Sequence, residues 1–265
     1  MLLVCRIDEK ALPLRSAFFI STCLVYSHNL PIFALPKAKN SIMMKIHKEG
    51  KTTVSVALIL IFLINAVTFF FLNNMVLAIV VLVVSLAVFG IILNFYRETN
   101  PVYEGEPHGI INCPTDGKVV VVEKIFENKF FNREVMQVSI FMNPFNEHCN
   151  WMPVTGKILH AEHVNGNFHA AYLPKSSNEN ERSEILIETP EHGTVLAKQI
   201  AGALARRIVI YVRKGEELPA GAPLGFIKLG SRMDLLLPVD AEIFVKVGDV
   251  VKSNKTVIGR LTKIA

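Results

Sequence analysis

The chain carries a net charge of +5, yet it lacks the interleaved aromatic and basic clusters with which a protein grips nucleic acid, so no nucleic-acid partner is expected. A basic balance equally suits a protein facing anionic lipid headgroups. Cysteine is sparse. Cys5, Cys23, Cys113 and Cys149 show no CxxC spacing, which argues against zinc and redox motifs and leaves them as bystander thiols in a reducing compartment. No metal site is expected. The most informative absence is of charge: from Thr52 to Tyr96 there is no charged residue, over a length about twice the ~20 apolar residues that one membrane crossing needs.

Asn73 and Asn74 interrupt this run near its middle. The pattern predicts two spanning helices, about 52–72 and 75–96, joined by a tight turn, because lipid tolerates only backbone whose hydrogen bonds close internally. A re-entrant or surface-lying hairpin is the alternative. Lys45, Lys48 and Lys51 precede the first span, Arg97 follows the second, and the turn is uncharged, so both ends are expected in the cytoplasm. Within residues 1–42, SAFFISTCLVYSH follows a basic residue as a signal peptide would, but MMKIHKEGK at 43–51 reads as a natural start. Residues 1–42 are therefore read as a doubtful N-terminal extension, and 43–97 as a membrane hairpin.

After Arg97 the texture changes. GKVVVVEKIF, VMQVSIFM, SEILIETP, GTVLAKQIAG, RRIVIYVR and AEIFVKVGDVV are Val- and Ile-rich and are punctuated by turn residues, which predicts many short strands. Only GALARR favours helix. Residues 98–265 are expected to form one mostly β (α+β) domain of short strands, preceded by the transmembrane helical hairpin.

Three patterns carry chemistry: CPTDGKV at 113–119, MNPFNEHCNWMPVTG at 142–156 and GFIKLGSRMDLLLP at 225–238. Singly each has an innocent account. Asp116-Gly117 is a common turn, His148 a loop polar residue, and Gly230-Ser231 a bulge before a strand. Together they resemble the phosphatidylserine decarboxylase proenzyme family, in its compact bacterial and archaeal branch. VNGNFHAA, NENERSE, QIAGALARRIV and VKVGDVVKSNKTVIGRL extend the resemblance over most of residues 98–265.

That resemblance implies a lyase of phospholipid biosynthesis, made as a zymogen, that converts phosphatidylserine to phosphatidylethanolamine at the inner membrane, with its catalytic domain cytoplasmic. Losing an α-carboxylate leaves a carbanion that needs an electron sink. No lysine stands in a recognisable pyridoxal-phosphate context, and a covalent pyruvoyl group derived from Ser231 would serve. Ser231 Oγ attacks the Gly230 carbonyl, the resulting ester is cleaved by β-elimination, and the dehydroalanine left behind hydrolyses to pyruvoyl and ammonia. Gly230, lacking a Cβ, allows the close approach. Two chains, to 230 and 231–265, would remain associated.

The resemblance also implies that Asp116 orients the base that activates Ser231, while His148 protonates the decarboxylated carbon. Trp151 stands where the better-known pattern has a second histidine, which leaves His148, His163 and His169 as candidates for the base. Arg232, Arg206 and Arg207 could meet the substrate's oxyanions. A homodimer is the default assembly. Rival readings are a biotinyl- or lipoyl-type module, which lacks a lysine suitably placed at a hairpin tip; a non-cleaving lipid-binding paralogue; and a soluble pyruvoyl decarboxylase, which the hairpin disfavours.

Overall fold

The computed structural model describes residues 45–71, 74–99, 101–105, 108–171, 176–203, 207–228 and 231–263. The readings placed on residues 1–42, Asn73, Arg206 and Gly230 lie outside these.

A 3-10 turn at Lys48–Gly50 leads into helix α1 (Lys51–Phe71), and helix α2 (Met75–Phe95) follows. Each has 21 residues, about 32 Å at ~1.5 Å per residue, and both are long and apolar enough to cross a membrane. Their large apolar side chains point outward, Phe62, Phe70 and Val83 among them. The few polar groups are satisfied locally. Asn65 Nδ2 donates to the Ile61 carbonyl at 2.8 Å and to Ser85 Oγ on α2 at 3.1 Å, and Asn74 Oδ1 caps α2 by accepting from Leu77 N–H.

The two ends of the hairpin are pinned together. Strand β1 (Lys45–Ile46) pairs antiparallel with β2 (Arg97–Glu98), so both ends leave the helices on one side. The Tyr96 ring packs so tightly on Gly50 that a Cβ there would come within 2.4 Å of it.

The β domain follows as β3 (Ile110–Asn112), β4 (Gly117–Glu127), β5 (Arg133–Met142), β6 (Cys149–Trp151) and β7 (Gly156–Val164). One helical turn, α3 (Ser176–Glu179), precedes β8 (Arg182–Thr189), β9 (Gly193–Ala201), β10 (Ile208–Ile210), β11 (Glu217–Leu218) and β12 (Pro223–Ile227). The tail holds β13 (Ser231–Pro238), β14 (Glu242–Ile243), β15 (Val250–Val251) and β16 (Val257–Arg260). The main sheet runs β11-β7-β8-β9-β13-β5-β4-β15, and two small sheets run β10-β12-β6 and β14-β16-β3. All these pairings are antiparallel.

Two details depart from a simple reading of short strands. β4 and β5 reach 11 and 10 residues. AEIFVKVGDVV, by contrast, holds only the two-residue strands β14 and β15, parted by a turn in which Gly248 sits at φ +102°, a conformation glycine adopts without steric cost.

β13 lies in the middle of the main sheet, paired with β5 from Ser231↔Met142 to Pro238↔Val135 and with β9 from Ser231↔Ala201 to Leu236↔Leu196. Its alternating side chains divide between two faces. Met233, Leu235 and Leu237 join Ile140 and Met142 in the principal core, while Leu236 packs with Val135 and Leu196 on the other side. The hairpin is more than a tether. Phe95 and Tyr96 form one buried cluster with Cys149, Trp151 and Phe226 of β6 and β12, so the foot of the hairpin docks on the small sheet.

Candidate active site

Ser231 opens β13 and is fully buried, its Oγ 3.7 Å from Met142 Sδ across the strand pair. Thr115 Oγ1 contacts the same sulfur from the loop before β4, and Asn150 Nδ2 lies 3.8 Å from it on β6. Asn150 Oδ1 accepts from Gln199 Nε2 at 2.7 Å, and Gln199 Oε1 accepts from Ser183 Oγ at 2.8 Å. All of these side chains are buried. The Gln199 amide lies over Gly225, where a Cβ would sit 2.5 Å from Nε2 and 2.4 Å from the Val209 carbonyl. Hence the GFIKLGS motif begins with glycine: no other residue lets β12 pass beneath this amide.

His148 is fully buried just before β6, and the Phe95 ring lies over it at 4.2 Å between centroids. Its Nδ1 is 2.9 Å from the Asn146 carbonyl, which only accepts, so Nδ1 carries the proton and Nε2 the lone pair. Nε2 is buried without a hydrogen-bond partner. Burial pushes the imidazole down to about 4, leaving it neutral near pH 7. His148 thus holds a buried, fixed, unprotonated nitrogen. The preceding Glu147 is pushed up, mainly by burial, and accepts from Thr99 N–H and Oγ1 just after the hairpin.

Asp116, read as the residue that orients the base, sits in the turn before β4. Its carboxylate accepts from Ser253 N–H at 2.9 Å, Ser253 Oγ at 3.0 Å and Lys252 Nζ at 3.0 Å. It ties the strand-turn to the C-terminal tail, and the acceptor that fixes His148 is the Asn146 carbonyl. His163 and His169 are half-exposed and face Glu181 and Glu179 at 3.4 and 3.1 Å. Cys113 and Cys149 are free and buried, and burial raises both thiols, Cys113 to about 12.

Arg207 is exposed, and its carbonyl accepts from Lys228 N–H close to the segment that leads to Ser231. Arg232, read as a candidate for a substrate oxyanion, is held within the protein. It is sealed on the face opposite Ser231, with Nε 2.6 Å from Asp234 Oδ1 and Nη2 2.7 Å from Ser139 Oγ. A guanidinium so enclosed is committed to the fold. Asp234 also accepts from Ser177 Oγ at 2.8 Å. Asp234→Ala should therefore strand a buried charge and cost about 3–5 kcal/mol, a lowered guanidinium midpoint read from tryptophan fluorescence in detergent. An unchanged midpoint would show that the pair does not hold the sheet.

Sequence reasoning misses Asn150, Gln199, Met142 and Thr115, although all four lie within or beside the quoted motifs. Their signal is a pairing of amides across distant strands, which no local pattern carries.

A family profile described as phosphatidylserine decarboxylase matches residues 79–259. The chain is 42% identical to a phosphatidylserine decarboxylase proenzyme of Parabacteroides distasonis over 83% of its length and all of that protein's. It is 44% identical to one from Bacteroides thetaiotaomicron (82% of this chain, 96% of that protein) and 36% identical to one from Amoebophilus asiaticus (83% and 97%).

Proposed function

The chain belongs to the phosphatidylserine decarboxylase family, and from that membership we propose that it removes the serine carboxylate of phosphatidylserine, giving phosphatidylethanolamine, with a pyruvoyl group made from its own Ser231. The observation that best supports the chemistry is that Ser231 is fully buried at the head of β13, while His148 is likewise buried and its Nε2 has no hydrogen-bond partner among the described residues.

In this reading His148 Nε2 takes the Ser231 hydroxyl proton as Oγ attacks the Gly230 carbonyl. A nitrogen already neutral and buried needs no prior deprotonation. The surroundings suit the group that results: Thr115 and Asn150, beside Met142 Sδ, would hold it in a site closed to solvent. Once made, it supplies the electron sink that α-decarboxylation requires. His148 Nε2 then returns a proton to the carbon that has lost its carboxylate. Arg207, which is exposed, would meet a substrate oxyanion.

The short chain stays in place after cleavage because β13 is hydrogen-bonded on both edges and Asp116 grips Ser253. Lys45, Lys48, Lys51 and Arg97 at the joined ends of the hairpin support a placement of the domain on the cytoplasmic side of the inner membrane. Purified protein supplied with phosphatidylserine in mixed micelles should release carbon dioxide and form phosphatidylethanolamine in equal amounts. A cleaved protein that does neither would overturn the assignment.

A further inference from the structure

The loop from β5 to β6 begins with a braced turn. Pro144 and Phe145 form its corner, and Asn146 N–H closes it on the Asn143 carbonyl at 3.0 Å. Both asparagine side chains support it: Asn143 Oδ1 accepts from Phe145 N–H at 2.8 Å, and Asn146 Oδ1 accepts from Asn143 N–H at 2.9 Å. The Phe145 ring at this corner is 65% exposed, and from Met142 to Asn146 the loop carries no charge.

This turn is bolted to the chain that leaves the hairpin. The Arg97 guanidinium bridges the two: Nη1 donates to the Asn94 carbonyl and to Asn94 Oδ1, both at 2.8 Å, and Nη2 donates to the Phe145 carbonyl at 3.0 Å. Asn94 lies in the last turn of α2, so the Phe145 backbone sits one guanidinium's width from the end of a helix long and apolar enough to cross a membrane. Further along the same loop, Glu147 accepts from Thr99 N–H and Oγ1, and the Phe95 ring lies over His148. The pairing of β1 with β2 brings the end of the hairpin that carries Lys45, Lys48 and Lys51 alongside Arg97. A single exposed aromatic is commonplace on a protein surface. Phe126 is one, 63% exposed, and it pairs with Glu134 at the far end of β5, about 30 Å from Asn143 at ~3.3 Å per residue. Phe145 differs in its place: a braced, uncharged corner against the exit of α2, among basic residues that suit anionic headgroups.

We propose that the Asn143–Asn146 turn is a second membrane contact, which sets the Phe145 ring into the headgroup region of the bilayer that the hairpin enters. The occupant follows from continuity: the turn adjoins α2, and the lipid around the end of that helix is the apolar phase within reach of the ring. Interfacial aromatic side chains bury about 5–10 Å into the boundary between headgroups and acyl chains, a depth that a corner residue reaches without moving the strands behind it. The proposal rests on the hairpin lying in a bilayer and is independent of the decarboxylase reading. It gives the loop a second use. The Asn146 carbonyl that lies 2.9 Å from His148 Nδ1 belongs to the same turn, so the residue that touches lipid and the imidazole are held by adjoining bonds.

Tryptophan emission in vesicles tests the contact. Phe145→Trp, Phe126→Trp and Phe62→Trp are made separately in the full-length protein; all three positions are exposed, so the fold is left alone. Trp151, the one native tryptophan, stays in place, and its emission is subtracted using the unaltered protein. Each variant is reconstituted into vesicles of phosphatidylcholine and phosphatidylglycerol, with phosphatidylcholine brominated either near the headgroup end or near the tip of its chains. The Phe145→Trp signal should shift to the blue relative to Phe126→Trp and lose most of its intensity to the shallow bromines, with less lost to the deep ones. Phe126→Trp should be unaffected by either lipid, and Phe62→Trp, on α1, should be quenched. If Phe62→Trp is quenched while Phe145→Trp emits like Phe126→Trp, the turn stays in water and the proposal fails alone. If Phe62→Trp is not quenched, the hairpin lies outside the bilayer and the proposal falls with that reading.

Discussion

Ser231→Ala should leave a single intact chain of full length and no decarboxylase activity above the uncatalysed background. Wild type should instead give two chains, the shorter being the 35 residues after Gly230 (265 − 230), lighter than its serine form by the mass of ammonia and blocked to Edman sequencing. The variant should fold normally. Among the described residues the Ser231 Oγ hydrogen bond goes to the Met142 sulfur, so its loss removes one weak bond, within the ~0.5–1.5 kcal/mol of an ordinary hydrogen bond. Replacement by water is also closed off, because Ser231 is wholly buried between β5 and β9. No neighbour offers a substitute nucleophile at the same carbonyl: Thr115 and Ser183 sit on other strands or loops, each already engaged. The cleaved wild type should still run as one particle until denatured, since the tail is held along both edges of β13. An uncleaved wild type that nonetheless decarboxylates would dispose of the self-processing mechanism.

The gross architecture is legible in the sequence because it rests on long signals. A charge-free run of this length has few uses outside a bilayer, and Val- and Ile-rich segments ending in Gly, Asn or Asp fold as strands. Ser231 is legible because Gly-Ser ahead of MDLLLP falls in a recurring motif. What stays hidden depends on register. The Asn150–Gln199 amide pair joins residues 49 apart, and Asp116 meets Ser253 across 137 residues, distances over which a single sequence has no voice. Arg232 is a different case. The period of two in a strand sends neighbours to opposite faces, so the pleat alone sets Arg232 apart from Ser231. Adjacency in sequence to the nucleophile is a poorer guide than that alternation. Docking of the hairpin foot through Phe95 and Tyr96 is also unreadable, since aromatic residues at a membrane boundary serve equally as interfacial anchors.

His148→Ala should slow self-cleavage by about 10²–10⁴-fold, the usual worth of a positioned acid or base. Pulse-labelled protein chased over hours would show the precursor persisting. His148 Nδ1 is spent on the Asn146 carbonyl, which leaves Nε2 as the idle acceptor, while His163 and His169 each face a glutamate. If His148→Ala cleaves at the normal rate, one of those two is the base after all. Asp116→Asn separates the routes further. It keeps the turn but weakens the grip on Lys252 and Ser253, so it should release the tail at lower denaturant concentration; slowed cleavage without easier release would restore the orienting role. Acidity adds an independent check on His148. Its folded pKa of about 4 lies below the ordinary value of 6.5, so the unfolded chain binds the proton first as pH falls. The stability this lends is complete above pH 6.5 and is lost progressively toward pH 4, amounting to roughly 3 kcal/mol at ~1.4 kcal/mol per unit. Uncleaved Ser231→Ala protein should therefore lose stability over that interval, and the double variant with His148→Gln, which has no titrating ring, should lose less. Equal acid sensitivity in the two would mean that His148 is not held neutral, and its standing as the base would go with it.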